Sequence, residues 1–139
     1  MNKFLISAAA VMFAAGAAWA GAHGSMSDKR VDAMKSIGGS MKAIGEGNGD
    51  AVQHAQNIKM QFGDMLEKFP EGSMEYRAKA NIWTDWSGFE AAMGKSNDAA
   101  AKLVTAAEGG DSSEIGNALK NLGGTCKGCH EEYRGPKPE

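Results

Sequence analysis

Leu122-Gly123-Gly124-Thr125-Cys126-Lys127-Gly128-Cys129-His130-Glu131-Glu132-Tyr133-Arg134 closes the chain apart from a short tail. Its two cysteines are the only ones in the sequence, and a histidine follows the second directly. Residues three and four apart on a helix share a face, so both thiols and the imidazole project to one side. C-x-x-C-H is the attachment signature of a c-type haem. Two thiols at this spacing can form thioethers with the vinyl groups of one porphyrin, and the adjacent imidazole can bind its iron.

The cysteines also continue a longer pattern. Ile115, Leu119, Leu122, Cys126, Cys129 and Tyr133 recur at alternating spacings of four and three, the seam of an amphipathic helix. Asp111-x-x-Glu114 has the form of a capping box at its start, and Gly135-Pro136 ends it. A porphyrin bonded to this stripe projects into the interior of whatever the helix packs against.

Three other chemistries compete for the motif. A thioredoxin-like redox pair needs a βαβ context, and no strand pattern is present. A zinc site needs more soft ligands, and the other histidines, His23 and His54, lack ligand spacing. A disulfide between helix positions three apart is poor geometry and leaves His130 unexplained. A small structural bundle with a disulfide or free thiols is the corresponding reading outside haem chemistry.

Working back along the chain, three further helices are predicted. The first starts at a Ser25-x-x-Asp28 cap, with a seam of Arg30, Met34, Ile37, Met41 and Ile44, and ends in Gly45, Gly47 and Gly49. Gly38-Gly39 within it costs about 1 kcal/mol per glycine relative to alanine, which predicts close approach of another backbone or a flat cofactor. Asp50 caps the second helix, whose seam is Ala51, Ala55, Ile58, Phe62, Met65 and Phe69, with His54 at its edge. After a turn at Pro70-Glu71-Gly72-Ser73, with Ser73 as cap, the third helix runs from near Met74 to about Ala107. Its seam is Ile82, Trp86, Phe89, Met93, Leu103, Val104 and Ala107, flanked by Trp83; Gly94 to Asn97 could bend it, and Gly109-Gly110 ends it. Four helices with short turns and no strand pattern predict an all-α, antiparallel four-helix bundle with a covalently attached haem.

The N-terminus reads differently. Met1-Asn2-Lys3, an apolar run from Phe4 to Ala18, and Ala18-Trp19-Ala20 form a secretory signal with a small-x-small cleavage site. Residues 1–20 are therefore a signal peptide, and 21–139 the exported domain. No second apolar segment is long enough to span a membrane. Loss of Lys3 leaves 14 Lys and Arg against 17 Asp and Glu, a mature charge of −3. With no basic run to hold a phosphate backbone, nucleic acid is excluded as a partner.

The C-terminal run resembles the cytochrome c′ family, which carries C-x-x-C-H-x-x-Y/F-R at the end of its fourth helix. Arg30-x-x-x-Met34-x-x-Ile37-Gly38-Gly39-Ser40-Met41-Lys42 and Ala80-Asn81-Ile82-Trp83, followed by Phe89, resemble the family's first and third helices. The resemblance implies a periplasmic protein with one covalent haem c, attached through Cys126 and Cys129 with His130 as axial ligand. It places Arg30 near a propionate, Arg134 against the proximal face, and Lys79, Trp83 and Phe89 at the haem. It implies binding of nitric oxide and carbon monoxide by a high-spin, five-coordinate iron, together with one-electron exchange with periplasmic redox partners. It also implies a homodimer through the first two helices, and no enzymatic turnover. Met34 is where the family divides: it is either an apolar wall over the iron or, in low-spin electron carriers of the same fold, the sixth ligand.

Overall fold

The computed structural model describes residues 24–137; the signal segment and His23 lie outside them. Helix α1 spans Met26–Gly45 and α2 Ala51–Gly63, followed by a single 3₁₀ turn at Leu66–Lys68. A one-turn helix α3, Asn81–Thr84, leads into α4, Trp86–Gly109, and α5 closes the bundle at Ser112–Tyr133. The four long helices form the predicted four-helix bundle.

The starts are set by side chains that satisfy the orphan amides of each first turn. Ser25 and Asp28 form a reciprocal capping box. Asp50 accepts from the amides of Val52 (2.9 Å) and Gln53 (3.3 Å), and Asp111 accepts from those of Ser113 and Glu114, both at 2.9 Å. At the end of α4, Gly110 takes φ +74°, the left-handed conformation that favours glycine at a helix C-terminus. Asp50→Ala is expected to cost about 1 kcal/mol, read as a fall of a few degrees in the thermal midpoint; no change would mean that water caps α2 equally well.

The interior is built from the predicted stripes. Ile37, Ile58, Phe62, Phe89, Met93, Leu103 and Leu122 are buried, and Cys129 and Tyr133 continue the stripe of α5 into the core. Helix α4 packs against α2 and α5, and α2 against α1, whereas α1 and α5 meet only slightly.

The structure departs from expectation in four places. The third helix does not begin at Met74. Its predicted first turns are an irregular strap, residues 73–80, whose backbone groups bond elsewhere. The amide of Lys79 donates to the carbonyl of Tyr133 (3.1 Å), and that of Gly135 donates to the carbonyl of Arg77 (2.7 Å). Ser73 caps no helix: its hydroxyl donates to the Pro70 carbonyl at 2.7 Å. Helix α3 then stops at Asp85, whose carboxylate caps α4 by accepting from the Gly88 amide at 3.2 Å. This break resets the helical register, so Trp86 stands 36% exposed while Phe89 turns inward. Gly38 and Gly39 meet no other backbone: among the described residues a Cβ at either would have nothing within 4 Å. The second helix is also shorter than its stripe, with Met65 and Phe69 reaching the core from the turn that follows it.

Candidate haem site

A cavity of about 310 Å³ lies between the N-terminal half of α1 and the C-terminal turns of α5. Arg30, Val31 and Met34 line it from α1; Cys129, His130, Tyr133 and Arg134 line it from the end of α5. Phe69, Ile82, Phe89 and Met93 form its inner wall, and the strap contributes Glu75, Tyr76, Arg77 and Ala78. The slight contact between α1 and α5 follows from this cavity, which separates them.

The titratable groups are tuned by burial. Burial pushes the Cys129 thiol up to about 11, with the neighbouring Cys126 adding to the effect. Cys126 rises for the same reason, opposed by hydrogen bonds from Thr125 and its own amide. Burial, then the cations of Arg134 and Arg77, lowers the His130 pKa. The neutral imidazole, the form that binds a metal, is thereby favoured. Neither cysteine is in a disulfide.

Arg30 is the least expected feature of the wall. Its side chain is buried, yet among the described residues no carboxylate stands within ion-pair distance. Its guanidinium donates to the Ser73 hydroxyl (3.2 Å) and carbonyl (2.9 Å) and lies 4.7 Å over the Phe69 ring. Burial lowers its pKa, and the more distant Glu75 only partly opposes this. A buried cation without an anion is costly. An acidic group at the cavity's α1 edge would offset that cost, as a haem propionate would. The apolar walls, paired thiols, neutral imidazole and unpaired cation together fit a covalently bound haem.

Of the residues singled out in the sequence, Cys129, His130, Arg30, Met34, Phe89 and Arg134 come together at this cavity. Cys126 lies one turn before, half-buried against the core. Lys79 and Trp83 are not among the lining residues. Lys79 is exposed and its ammonium donates to the Glu132 carbonyl. Trp83 donates its indole N–H to the carbonyls of Phe69 (3.2 Å) and Pro70 (3.0 Å), pinning the turn before the strap. Sequence reasoning missed Tyr76 and Arg77. Both fall in the strap, where no periodicity marks a residue that lines the cavity. Tyr76 has φ +57°, the one described non-glycine residue in the left-handed region, a conformation that costs an L-residue roughly 1–2 kcal/mol.

A helical bundle that presents a thiol and an imidazole to an apolar cavity, with a second thiol one turn earlier on the same helix, fits the housing of a c-type haem. The family model described as Cytochrome C′ matches residues 25–134, and the chain belongs to that family. It is 41% identical over 115 residues to the cytochrome c′ of Pararhodospirillum photometricum, covering 76% of this chain and 92% of the relative. A cytochrome c-556 of Agrobacterium tumefaciens is 32% identical over 123 residues, with coverages of 81% and 97%. Among solved structures, the nitric oxide complex of a mutant cytochrome c prime from Alcaligenes xylosoxidans superposes with a TM-score of 0.72 at 26% identity. That match covers 81% of this chain and 94% of the other. Cytochrome c′ family proteins carry one covalently attached c-type haem, and this chain has its cysteines at 126 and 129.

Proposed function

We propose that this protein is an exported cytochrome c′ whose haem iron is high-spin and five-coordinate, binding nitric oxide or carbon monoxide and exchanging single electrons. Cys126 and Cys129 would hold the porphyrin through thioethers, and His130 would supply an imidazole to its iron. Arg30 would pair with a propionate, and Arg134, one turn past His130, would shield that side of the iron. The haem supplies a redox-active iron with one coordination position to spare. Met34 and the apolar wall around it restrict that position to small uncharged molecules. Residues 1–20 direct export to the periplasm and are removed, and the protein acts as a carrier and gas binder, not as an enzyme. A homodimer through α1 and α2 completes the proposal.

One observation supports this reading: Met34 and His130 line the same apolar cavity, so a haem held there through His130 would have a bulky thioether among its neighbours. The nitric oxide complex of the Alcaligenes relative supports gas binding. The same position of Met34 favours a second reading, a low-spin carrier with its sulfur as sixth ligand, because axial ligation sets the spin state. The oxidised spectrum separates them. A high-spin spectrum is expected, without the weak red-end band of methionine-to-iron charge transfer; that band would establish the second reading. Met34→Ala is expected to leave the spin state unchanged. It should also speed carbon monoxide association by about tenfold, the factor given by removing about 1.4 kcal/mol of steric barrier.

A further inference from the structure

Beside the haem cavity, on the outer side of α5, lies a second and more open recess of about 540 Å³. Arg77, Lys127 and Arg134 line it, with Glu131 as the one carboxylate among its described residues, and His130 lines both cavities. The three cations come from the strap, the C-x-x-C-H motif and the end of α5, which converge when the strap bonds to residues 133–135. Arg77 is fixed there: its Nε donates to the Gly135 carbonyl at 2.8 Å. Among the described residues, neither Arg77 nor Arg134 has a carboxylate within ion-pair distance. Lys127 and Glu131 approach to 3.7 Å with side chains 76% and 67% exposed, a pair that contributes little and leaves both groups available to solvent.

The sign of this surface opposes that of the molecule. Residues 21–139 carry −3, while the described residues of the recess are three cations to one anion. We infer that the face formed by Arg77, Lys127 and Arg134 is the docking surface for an acidic electron-transfer protein, placed over the His130 side of the haem. The inference rests on the electron-exchange part of the proposed function. Complementary charge steers such encounters and orients them, mainly through the association rate. An acidic face meeting this recess would bring its redox centre toward the ligand histidine and away from the gas-binding side at Met34.

The test uses the holoprotein, reduced, with hexacyanoferrate(III) as a small anionic oxidant. One electron passes from the ferrous protein, which becomes ferric, to hexacyanoferrate(III), which becomes hexacyanoferrate(II); no proton moves. If the recess guides the encounter, the second-order rate falls as salt is added, despite the negative net charge. Lys127→Glu should lower that rate at low salt by roughly tenfold. Lys42→Glu makes the same charge change at the opposite end of α1 and should alter it by less than about twofold. A rate that rises with salt, or equal effects of the two variants, would show that net charge alone governs the encounter and would overturn the surface.

An independent readout is lysine acetylation with N-hydroxysuccinimidyl acetate, in the presence and absence of poly-L-glutamate, mapped by mass spectrometry. Protection of Lys127 at least threefold beyond that of Lys42 is expected, and equal protection overturns the proposal. The underlying electron-exchange reading has its own control, benzoquinone, an uncharged oxidant. If the ferrous protein fails to reduce it at any salt concentration, that reading falls and with it the redox identity of the partner, whatever the acetylation shows.

Discussion

A Cys126→Ser, Cys129→Ser double variant, exported by a strain with intact haem-attachment machinery, leaves no haem-stained band on a denaturing gel where the parent chain gives one. Denaturation strips every non-covalent haem, so only thioethers survive it, and a persisting band would sink the attachment assignment. The argument rests on where the thiols sit. Both lie on the interior stripe of α5, Cys129 in the cavity wall and Cys126 one turn earlier. Burial raises both pKa values, that of Cys129 to about 11. Disulfide exchange proceeds through the thiolate, so the folded chain disfavours the competing oxidation. The helical spacing of the two residues disfavours it again. Without its haem the chain also loses the stabilisation that any group bound only by the native state confers. The cavity between α1 and α5 then has nothing to fill it, and the variant should unfold at a markedly lower temperature than the holoprotein.

The stripe that carries those thiols shows why so much of the bundle was legible in the sequence. Ile115 to Tyr133 repeats at three and four without interruption, and each of the helix starts at Ser25, Asp50 and Asp111 is marked by a residue that caps it in the structure. Local chemistry and burial agree at those places. They part at residues 73–80. That stretch contains no proline and only good or middling helix formers, so propensity alone extends a helix through it. The backbone of Arg77 and Lys79 instead pairs with Tyr133 and Gly135, more than fifty residues away, and no local pattern encodes such a partner. The register shift at Asp85 is hidden for the same reason, since it follows from how α3 and α4 seat separately on the core. Arg30 was legible as part of the α1 seam, but its buried, unpaired state was not, because that depends on the carboxylates that fail to approach it. The basic recess is the extreme case. Arg77, Lys127 and Arg134 form no cluster in the sequence and become one only through the strap.

Phe89→Ala is expected to destabilise the holoprotein by about 3–5 kcal/mol, the range for deleting a buried aromatic side chain. For a domain of this size that lowers the thermal midpoint by roughly 10–20 °C. Phe89 is 1% exposed, and its ring is held on three sides. Phe69 meets it edge-on at 4.8 Å, Tyr133 edge-on at 5.2 Å, and Trp86 at 5.6 Å. Edge-to-face pairs of this kind contribute about 0.5–1.5 kcal/mol beyond the area they bury. The three partners come from three different parts of the chain: the turn after α2, the start of α4, and the last turn of α5. Their loss at one point therefore loosens the cavity's inner wall and the seat of the helix that bears Cys129 and His130. Since Phe89 itself lines the haem cavity, the space left by truncation joins that cavity instead of collapsing, which keeps the cost at the upper end of the range. Phe89→Leu keeps most of the volume but none of the ring geometry, and is expected to lose less than half as much. Equilibrium denaturation of the two variants decides the matter. A loss below about 1 kcal/mol for the alanine variant would mean that the ring supports neither the core nor the cavity wall.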